Sequence, residues 1–492
     1  MNILRHWSQN MIVLTLLCLL VPPVGLMFLW IRKKTRTLHK IYVSTVLAIL
    51  TVVHLFAFYD LGVEMAGSSD TLPFFRFYDS DDHYKTIETA RSRTIQEART
   101  ASTSDSIYWT DYRGPNRDGV YDQQPIQTNW RDGRLPELWR QTIGGGYASV
   151  IVAQGHIYTI EQRRKKEVVT AYDLTSGIEV WSHEWNALFQ ERLGGDGPRA
   201  TPTWHKGKIY ALGATGELRV LDAQNGRLLW KTNILIDSGV ANLTWAMSAS
   251  PLIVGDKVIT LPGGHHGRSV AAYNKNSGEL AWQSLDDNQA YVAPMVATVA
   301  GKRQLLIVSS KRLMGLNVED GSLLWEYPWR TEMGINCTQP IVVDDKHIFI
   351  SAGYGQGSAL VRITARDKVF KVEKIWSNNR MKSKFNTPVL HENHVYGLDE
   401  GILQAIDVRT GIQKWKGGRY GYGQILLANG HLIISTEKGE VALVKATPEG
   451  HEELAKFTAI RGKTWNNPAI ADGKLIVRNQ TEMACYDLTM GL

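Results

Sequence analysis

An all-β chain folded as an eight-bladed β-propeller, preceded by two transmembrane α-helices, is the fold class predicted for this 492-residue sequence, and three observations predict it. A unit in which Asp or Asn stands four residues before Gly and eight before Trp occurs five times between residues 173 and 415. Strand segments opened by a small or polar lead-in occur eight times. Two uncharged runs, the 21 residues Met11 to Ile31 and the 19 residues Ile41 to Tyr59, stand ahead of the repeats. A period of about 40 to 50 residues is that of a propeller blade.

Each uncharged run is long enough to cross a hydrocarbon layer of roughly 30 Å. The linker between them carries Arg32, Lys33, Lys34, Arg36 and Lys40, whereas only Arg5 precedes the first run. The positive-inside rule therefore puts the linker in the cytoplasm and everything beyond Tyr59 outside. Residues 1–60 are expected to form a transmembrane hairpin in a bacterial inner membrane, with the propeller on the periplasmic side. Cleavage of the first run as a signal peptide fits poorly, because the run is long and no small-x-small site follows. A lipoprotein signal at Cys18 fails because Leu17 occupies the place of a small residue. His54, near the outer end of the second run, reads as an interfacial histidine.

Residues 61–108 are polar and mixed in charge and are expected to be a stalk. Within it, His83 to Ala101 places Ile87, Ala90, Ile95 and Ala98 on one face of a short helix. The formal charge of +7 is mostly an anchor property: residues 1–60 hold six Lys/Arg against Asp60, which leaves +2 for the rest. Nucleic acid is therefore not an expected partner. Three cysteines, Cys18, Cys337 and Cys485, offer no paired framework or CxxC motif.

The propeller is expected over 109–492. Its units run Asp173 to Trp181, Asp222 to Trp230, Asn274 to Trp282, Asn317 to Trp325 and Asp407 to Trp415. The Asp or Asn accepts a backbone N–H two residues on, and Gly takes the positive φ of the turn. The Trp, recurring also at Trp376, is expected to wedge between neighbouring sheets. The fifth unit lacks the Asp-Gly turn, and the seventh has Leu454 near the Trp position. Trp139, in Leu135-Pro-Glu-Leu-Trp-Arg, belongs to no unit of its own and is expected to complete blade eight, whose last segment is Cys485-Tyr-Asp-Leu.

The pattern from Ala171 to Trp181 and from Ala405 to Trp415, with Trp-Thr-Asp-Tyr-Arg-Gly-Pro-Asn-Arg-Asp-Gly at 109–119 and Gly-Asp-Gly-Pro-Arg-Ala-Thr-Pro-Thr at 195–203, resembles the pyrroloquinoline-quinone (PQQ) type propeller repeat. The resemblance to PQQ-binding-like propeller proteins spans 109–492. It implies fold more than function, since one fold hosts unrelated sites. One branch, the BamB-like assembly factors, is similar in its compact ring and implies a noncatalytic scaffold; the chain departs from it in lacking a lipobox. The other, the quinoprotein dehydrogenases, implies PQQ at the channel mouth with Ca²⁺ and a catalytic Asp.

Calcium takes six to eight oxygen ligands, several of them carboxylates. The lead-ins expected to line the channel read Tyr147-Ala-Ser, Arg199-Ala-Thr, Met247-Ser-Ala, Tyr291-Val-Ala, Cys337-Thr-Gln, Phe385-Asn-Thr, Tyr422-Gly-Gln and Trp465-Asn-Asn, without Asp or Glu. Asp196, Asp286, Asp287 and Glu332 in preceding loops read as solvated charge, His265 and His266 as a loop without a third ligand, and Gly144-Gly-Gly146 as a turn. Hydrolase motifs are absent.

The expected function is noncatalytic binding or scaffolding of an envelope protein or small ligand, with no cofactor. The alternative is a PQQ-dependent, Ca²⁺-assisted alcohol or sugar dehydrogenase. Arg199, Asn336, Lys384, Asn386, Tyr422 and Trp465 are the expected ligand-binding set at the channel mouth, suited to an anion, a sugar or a peptide carboxylate. Trp139, Trp181, Trp230, Trp282, Trp325, Trp376 and Trp415 are the expected blade-docking set.

Overall fold

A computed structural model describes residues 22–32, 36–58, 62–64, 74–76, 80–97, 107–191 and 194–489. The chain divides into two compact units, Met1–Glu64 with Pro73–His83, and Met65–Leu72 with Tyr84–Leu492. In the first, helices Pro22–Ile31 and Thr37–Phe58 pack through Leu29 and Leu47, and Trp30 Nε1 donates to Ser44 Oγ at 3.0 Å. Residues 11–21 of the first predicted span lie outside the described residues. Among the described residues no helix is long and apolar enough to cross a membrane, so the two predicted spans are not shown.

The second unit is an eight-bladed propeller, each blade an antiparallel sheet in meander order. Blade one is built on Ile151–Ala153, His156–Arg163, Lys166–Asp173 and Glu179–Asn186; the innermost strands of blades two to seven are Thr203–His205, Leu252–Val254, Met295–Val299, Ile341–Val342, Val389–His391 and Gln424–Ala428. Ala469–Ala471, Lys474–Arg478 and Glu482–Asp487 supply three strands of blade eight. The fourth is Glu137–Thr142, with Trp139 opposite Cys485. The ring is thus closed by pairing early chain with late chain, as the isolated Trp139 predicts. The middle strands bury nearly every side chain because both faces meet a neighbouring blade, which is why they read as apolar runs.

The tryptophans sit on the turns of the next blade. Trp139, Trp181, Trp230, Trp376 and Trp415 donate Nε1–H to the carbonyls of Leu174, Ala223, Lys275, Val408 and Thr447 at 2.8–3.1 Å. A Cβ on Gly177 or Gly226 would stand 2.5 Å from the Trp ring above it, so these turn glycines are required by close approach as well as by positive φ. Blade five lacks such a turn, and Trp325 instead donates to Gln304 Oε1 of its own blade at 2.6 Å. In blade seven, where the Trp is missing, Phe457 packs edge-on against Trp130 at 5.8 Å and Tyr486 of blade eight at 5.1 Å.

Helix Ser80–Glu97 covers most of the predicted stalk helix. Its part in the propeller unit does not stand clear of the ring: Ile87 is buried, and Glu88 and Arg91 pair with Arg164 and Glu179 of blade one at 3.0 and 3.3 Å.

Between blades one and two, Glu167 is fully buried and accepts the Ala214 N–H at 2.7 Å. Burial pushes its carboxyl up to about 7; Glu217 pushes the same way, and the Ala214 bond and Arg219 oppose. The folded state therefore holds a proton that the unfolded chain releases near pH 4.5, and stability from this site is full in mild acid and lost as pH rises through 7. The expected loss between pH 5 and pH 8 is up to about 3 kcal/mol in denaturant unfolding. Glu167→Gln, neutral and of the same shape, is expected to flatten that dependence; an unchanged slope refutes the assignment.

Candidate functional site

The channel is closed at one level by the segment between Ile107–Trp109, paired with blade one, and Val120–Tyr121, paired in parallel with blade seven. Arg113 and Arg117 lie within it, both fully buried and both at positive φ of about 60°. Gly119 is needed because a Cβ there would strike the Arg113 guanidinium. Arg117 donates to the carbonyls of Ser250 at 3.2 Å, Pro294 at 2.8 Å and Pro251, to Thr203 Oγ1 at 3.2 Å, and to Asp111 Oδ1 at 2.7 Å. Arg113 donates to the carbonyls of Ile425, Asp118 and Pro388 at 3.2–3.3 Å. One arginine thus ties blades two to four, the other blades six and seven. The lead-in prolines have no N–H, but their carbonyls remain strong acceptors.

Tyr112 of this plug forms part of the wall of a cavity of about 280 Å³ at the channel mouth. All eight lead-ins reach it, six through their first residues Tyr147, Arg199, Tyr291, Cys337, Phe385 and Trp465 and two through Ser248 and Gln424; Trp245, Tyr354 and Lys384 add to the wall. Of the residues predicted as a ligand set, Arg199, Lys384 and Trp465 meet here. Tyr422 stands just behind, its ring 4.9 Å from Lys384 Nζ and 5.6 Å from Phe385.

Asn336 and Asn386 do not line the cavity, which corrects their placement. Asn336 donates Nδ2 to the carbonyls of Ser309 and Trp329, and its neighbours Ile335 and Cys337 face the cavity instead. Asn386 is buried one residue past Phe385. In extended chain, adjacent side chains take opposite sides, which turns Asn336 away between Ile335 and Cys337, whereas at blade six the chain bends and Lys384 and Phe385 both face the cavity ahead of Asn386. The aromatic wall was legible in the lead-ins themselves; Trp245 and Tyr354, outside them, carry no such signal.

Cations in the wall rest on rings. Arg199 donates to the carbonyls of Gly197 and Gly195 at 2.5 and 2.6 Å and lies 5.4 Å from the Tyr147 centroid and 4.9 Å from Phe189. Lys384 Nζ lies 5.2 Å from Tyr354 and 5.5 Å from Phe385, and Lys463, behind the wall, 4.3 Å from Trp465. Burial lowers the pKa of both Arg199 and Lys384. It pushes Tyr291 and the Cys337 thiol up to about 12, so Cys337 is a neutral wall residue.

A PQQ–calcium centre does not fit this donor set. No lining residue is Asp or Glu. Glu437, the buried carboxylate nearby, accepts Trp465 Nε1–H at 3.0 Å and the Tyr422 N–H at 3.3 Å. The loop carboxylates are used elsewhere: Asp287 holds Arg312 and Ser309, Asp196 accepts the Glu191 N–H, and Asp286 the Gly267 N–H. Among the described residues, no group of three His, Cys, Asp or Glu is placed to hold a metal.

A family model described as outer membrane protein assembly factor BamB matches residues 165–417. The BamB of Yersinia pestis is 23% identical over 353 residues, covering 69% of this chain and 86% of the relative; that of Moranella endobia is 24% identical over 320 residues, covering 61% and 78%. Among solved structures, BamB from Moraxella catarrhalis superposes with a TM-score of 0.52 at 16% identity, covering 73% of this chain and 99% of that one. The quinohemoprotein alcohol dehydrogenase ADHIIG of Pseudomonas putida superposes at 0.56 with 13% identity and 82% of each chain, a likeness of fold alone.

The expected inner-membrane location is corrected by these relatives, which are outer membrane protein assembly factors. An apolar run reports tolerance of hydrocarbon and carries nothing about which membrane a protein serves.

Proposed function

The chain belongs to the outer membrane protein assembly factor BamB family, and from that premise we propose that it is a noncatalytic periplasmic propeller that binds another envelope protein through the face around the channel mouth. The observation that carries this reading is the wall of the cavity: rings and cations, with no carboxylate to hold a metal or move a proton. Leu188 and Met333, on loops, and Ile236, on the short helix Ile234–Ser238, are apolar and exposed on segments that lead into that wall and give the same face contact surface for a partner. The apolar helices Pro22–Ile31 and Thr37–Phe58 serve as a tether to a membrane.

Photocrosslinkers at Ile236 and Met333 of the full chain, irradiated in cells, are expected to capture one envelope protein in the membrane fraction, whereas a crosslinker at Val369, on blade five's outer strand, captures none. Capture from Val369 alone, or recovery of the chain in the soluble fraction, overturns the reading. The dehydrogenase alternative is checked by calorimetric titration of the chain with PQQ with and without Ca²⁺. No Ca²⁺-dependent saturation is expected; its appearance sinks the noncatalytic assignment.

A further inference from the structure

The plug does not fill its level of the channel evenly. Pro251, Pro294, Pro340 and Pro388 lead into blades three, four, five and six. Arg117 donates to the carbonyls of Pro251 and Pro294, and Arg113 to that of Pro388; among the described residues neither guanidinium reaches Pro340. Blade five, whose innermost strand is the two-residue Ile341–Val342, is thus passed over by both arginines. A second cavity, of about 260 Å³, lies in that sector. Tyr112 of the plug borders the channel mouth, whereas Asn116 to Val120 border this cavity, so the plug separates the two. Met295 of blade four, Ile341 and Val342 of blade five and Leu390 of blade six give it an apolar wall beside Pro340. Asn116 and Asp118 stand exposed at its rim.

The charges at this cavity are unequally used. Arg117 also borders it, but its guanidinium is matched by Asp111 at 2.7 Å and occupied by lead-in carbonyls. Arg113 donates to the backbone carbonyl of Asp118 and not to its carboxylate. Asp118 Oδ1 accepts the Val120 N–H at 3.0 Å, and among the described residues no Lys, Arg or His forms an ion pair with that carboxylate. We propose that this cavity binds a small alkylguanidinium, its charged head on Asp118 and the Pro340 carbonyl and its stem against Ile341, Val342 and Leu390. The ligand repeats in the sector of blade five what Arg113 and Arg117 do in theirs. Lead-in carbonyls on either side already accept a guanidinium, whose planar fork of N–H donors suits several acceptors at once, and a carboxylate matches its charge. The volume admits a stem of a few carbons and no folded segment. Such a group arrives either as a free small molecule or as the Arg side chain of a partner's loop, and the experiment separates the two. Asp118 and this cavity lie outside the wall that carries the partner-binding reading, so the two proposals fail separately.

The test is calorimetric titration of the purified full chain with butylguanidinium, with butylurea as the neutral control of similar shape. Saturable binding of the guanidinium is expected, with butylurea weaker by about tenfold or more. Asp118→Asn keeps an acceptor for the Val120 N–H and is expected to lower guanidinium affinity by about tenfold while leaving the weak urea binding unchanged. Ala297→Leu, which puts apolar bulk into the cavity from a half-buried position and leaves Asp118 in place, is expected to abolish both. Acetyl-Gly-Arg-Gly-amide binding as tightly as butylguanidinium supports the proposal with a partner's Arg side chain as the source; its exclusion supports it with a free molecule. Equal affinity for the guanidinium and the urea, unchanged affinity in folded Asp118→Asn, or no saturation at millimolar butylguanidinium overturns it.

Discussion

Arg117→Met is expected to cost the propeller about 3–5 kcal/mol, more than any other single substitution in the plug. The side chain is fully buried and reaches Ser250 and Pro251 of the lead-in to blade three, Pro294 of blade four, and Thr203 of blade two. Methionine fills much of the same volume, so the loss is not one of packing. What it leaves behind is the Ser250 and Pro294 carbonyls without the Arg117 donor, the Pro251 carbonyl held by Thr203 Oγ1 alone, and Asp111, mostly buried, without its ion pair. Each such group is stranded in low dielectric at a cost of about 1–3 kcal/mol, and water recovers only part of it. Lysine keeps the charge but not the fork, so Arg117→Lys is expected to fall between wild type and Met. Urea unfolding followed by tryptophan fluorescence measures all three. A Met variant within about 1 kcal/mol of wild type would mean that the carbonyls are hydrated and the plug is not a clamp.

This plug marks the boundary of what the sequence makes legible. The repeat was readable because its physics is local: Asp, Gly and Trp at fixed spacing make a turn and a ring contact within two consecutive blades. Blade closure was readable for the same reason, since Trp139 had a strand pattern and no unit of its own. Arg113 and Arg117 act on ring residues from 86 to 312 positions away, and their positive φ makes sense only once the ring exists to be spanned. No periodicity announces such contacts. The channel mouth is legible as a set of lead-in positions but not in which side chain of each lead-in faces it: Cys337 and Phe385 line the cavity, and their neighbours Asn336 and Asn386 do not. The inner-membrane location failed differently: hydropathy is a property of a segment, and location is a property of the partners it serves.

Trp139→Ala is expected to cost about 3–5 kcal/mol and to exceed the same change at Trp415, though both occupy the same place in the repeat. At Trp415, the strand that carries the ring follows directly in sequence on the rest of blade six, so loss of the ring weakens a joint between blades that continuous chain still holds. At Trp139 the joint is double. The ring docks on the Gly177 turn of blade one, and its strand is the hydrogen-bonded link between the two ends of the propeller sequence. Trp139 is also buried, whereas Trp415 is partly exposed, so more apolar surface is lost. Arg478, fully buried in blade eight, reinforces the joint through Thr159 and the Gly144 carbonyl, at 3.2 Å, and keeps the ring from opening altogether. The expected signature is therefore fraying: limited proteolysis should cut Trp139→Ala within residues 460–489 under conditions where Trp415→Ala stays intact. Equal cost and equal resistance in the two variants would mean that closure resides in strand pairing alone, with the Trp wedge as worth no more at the seam than elsewhere in the ring.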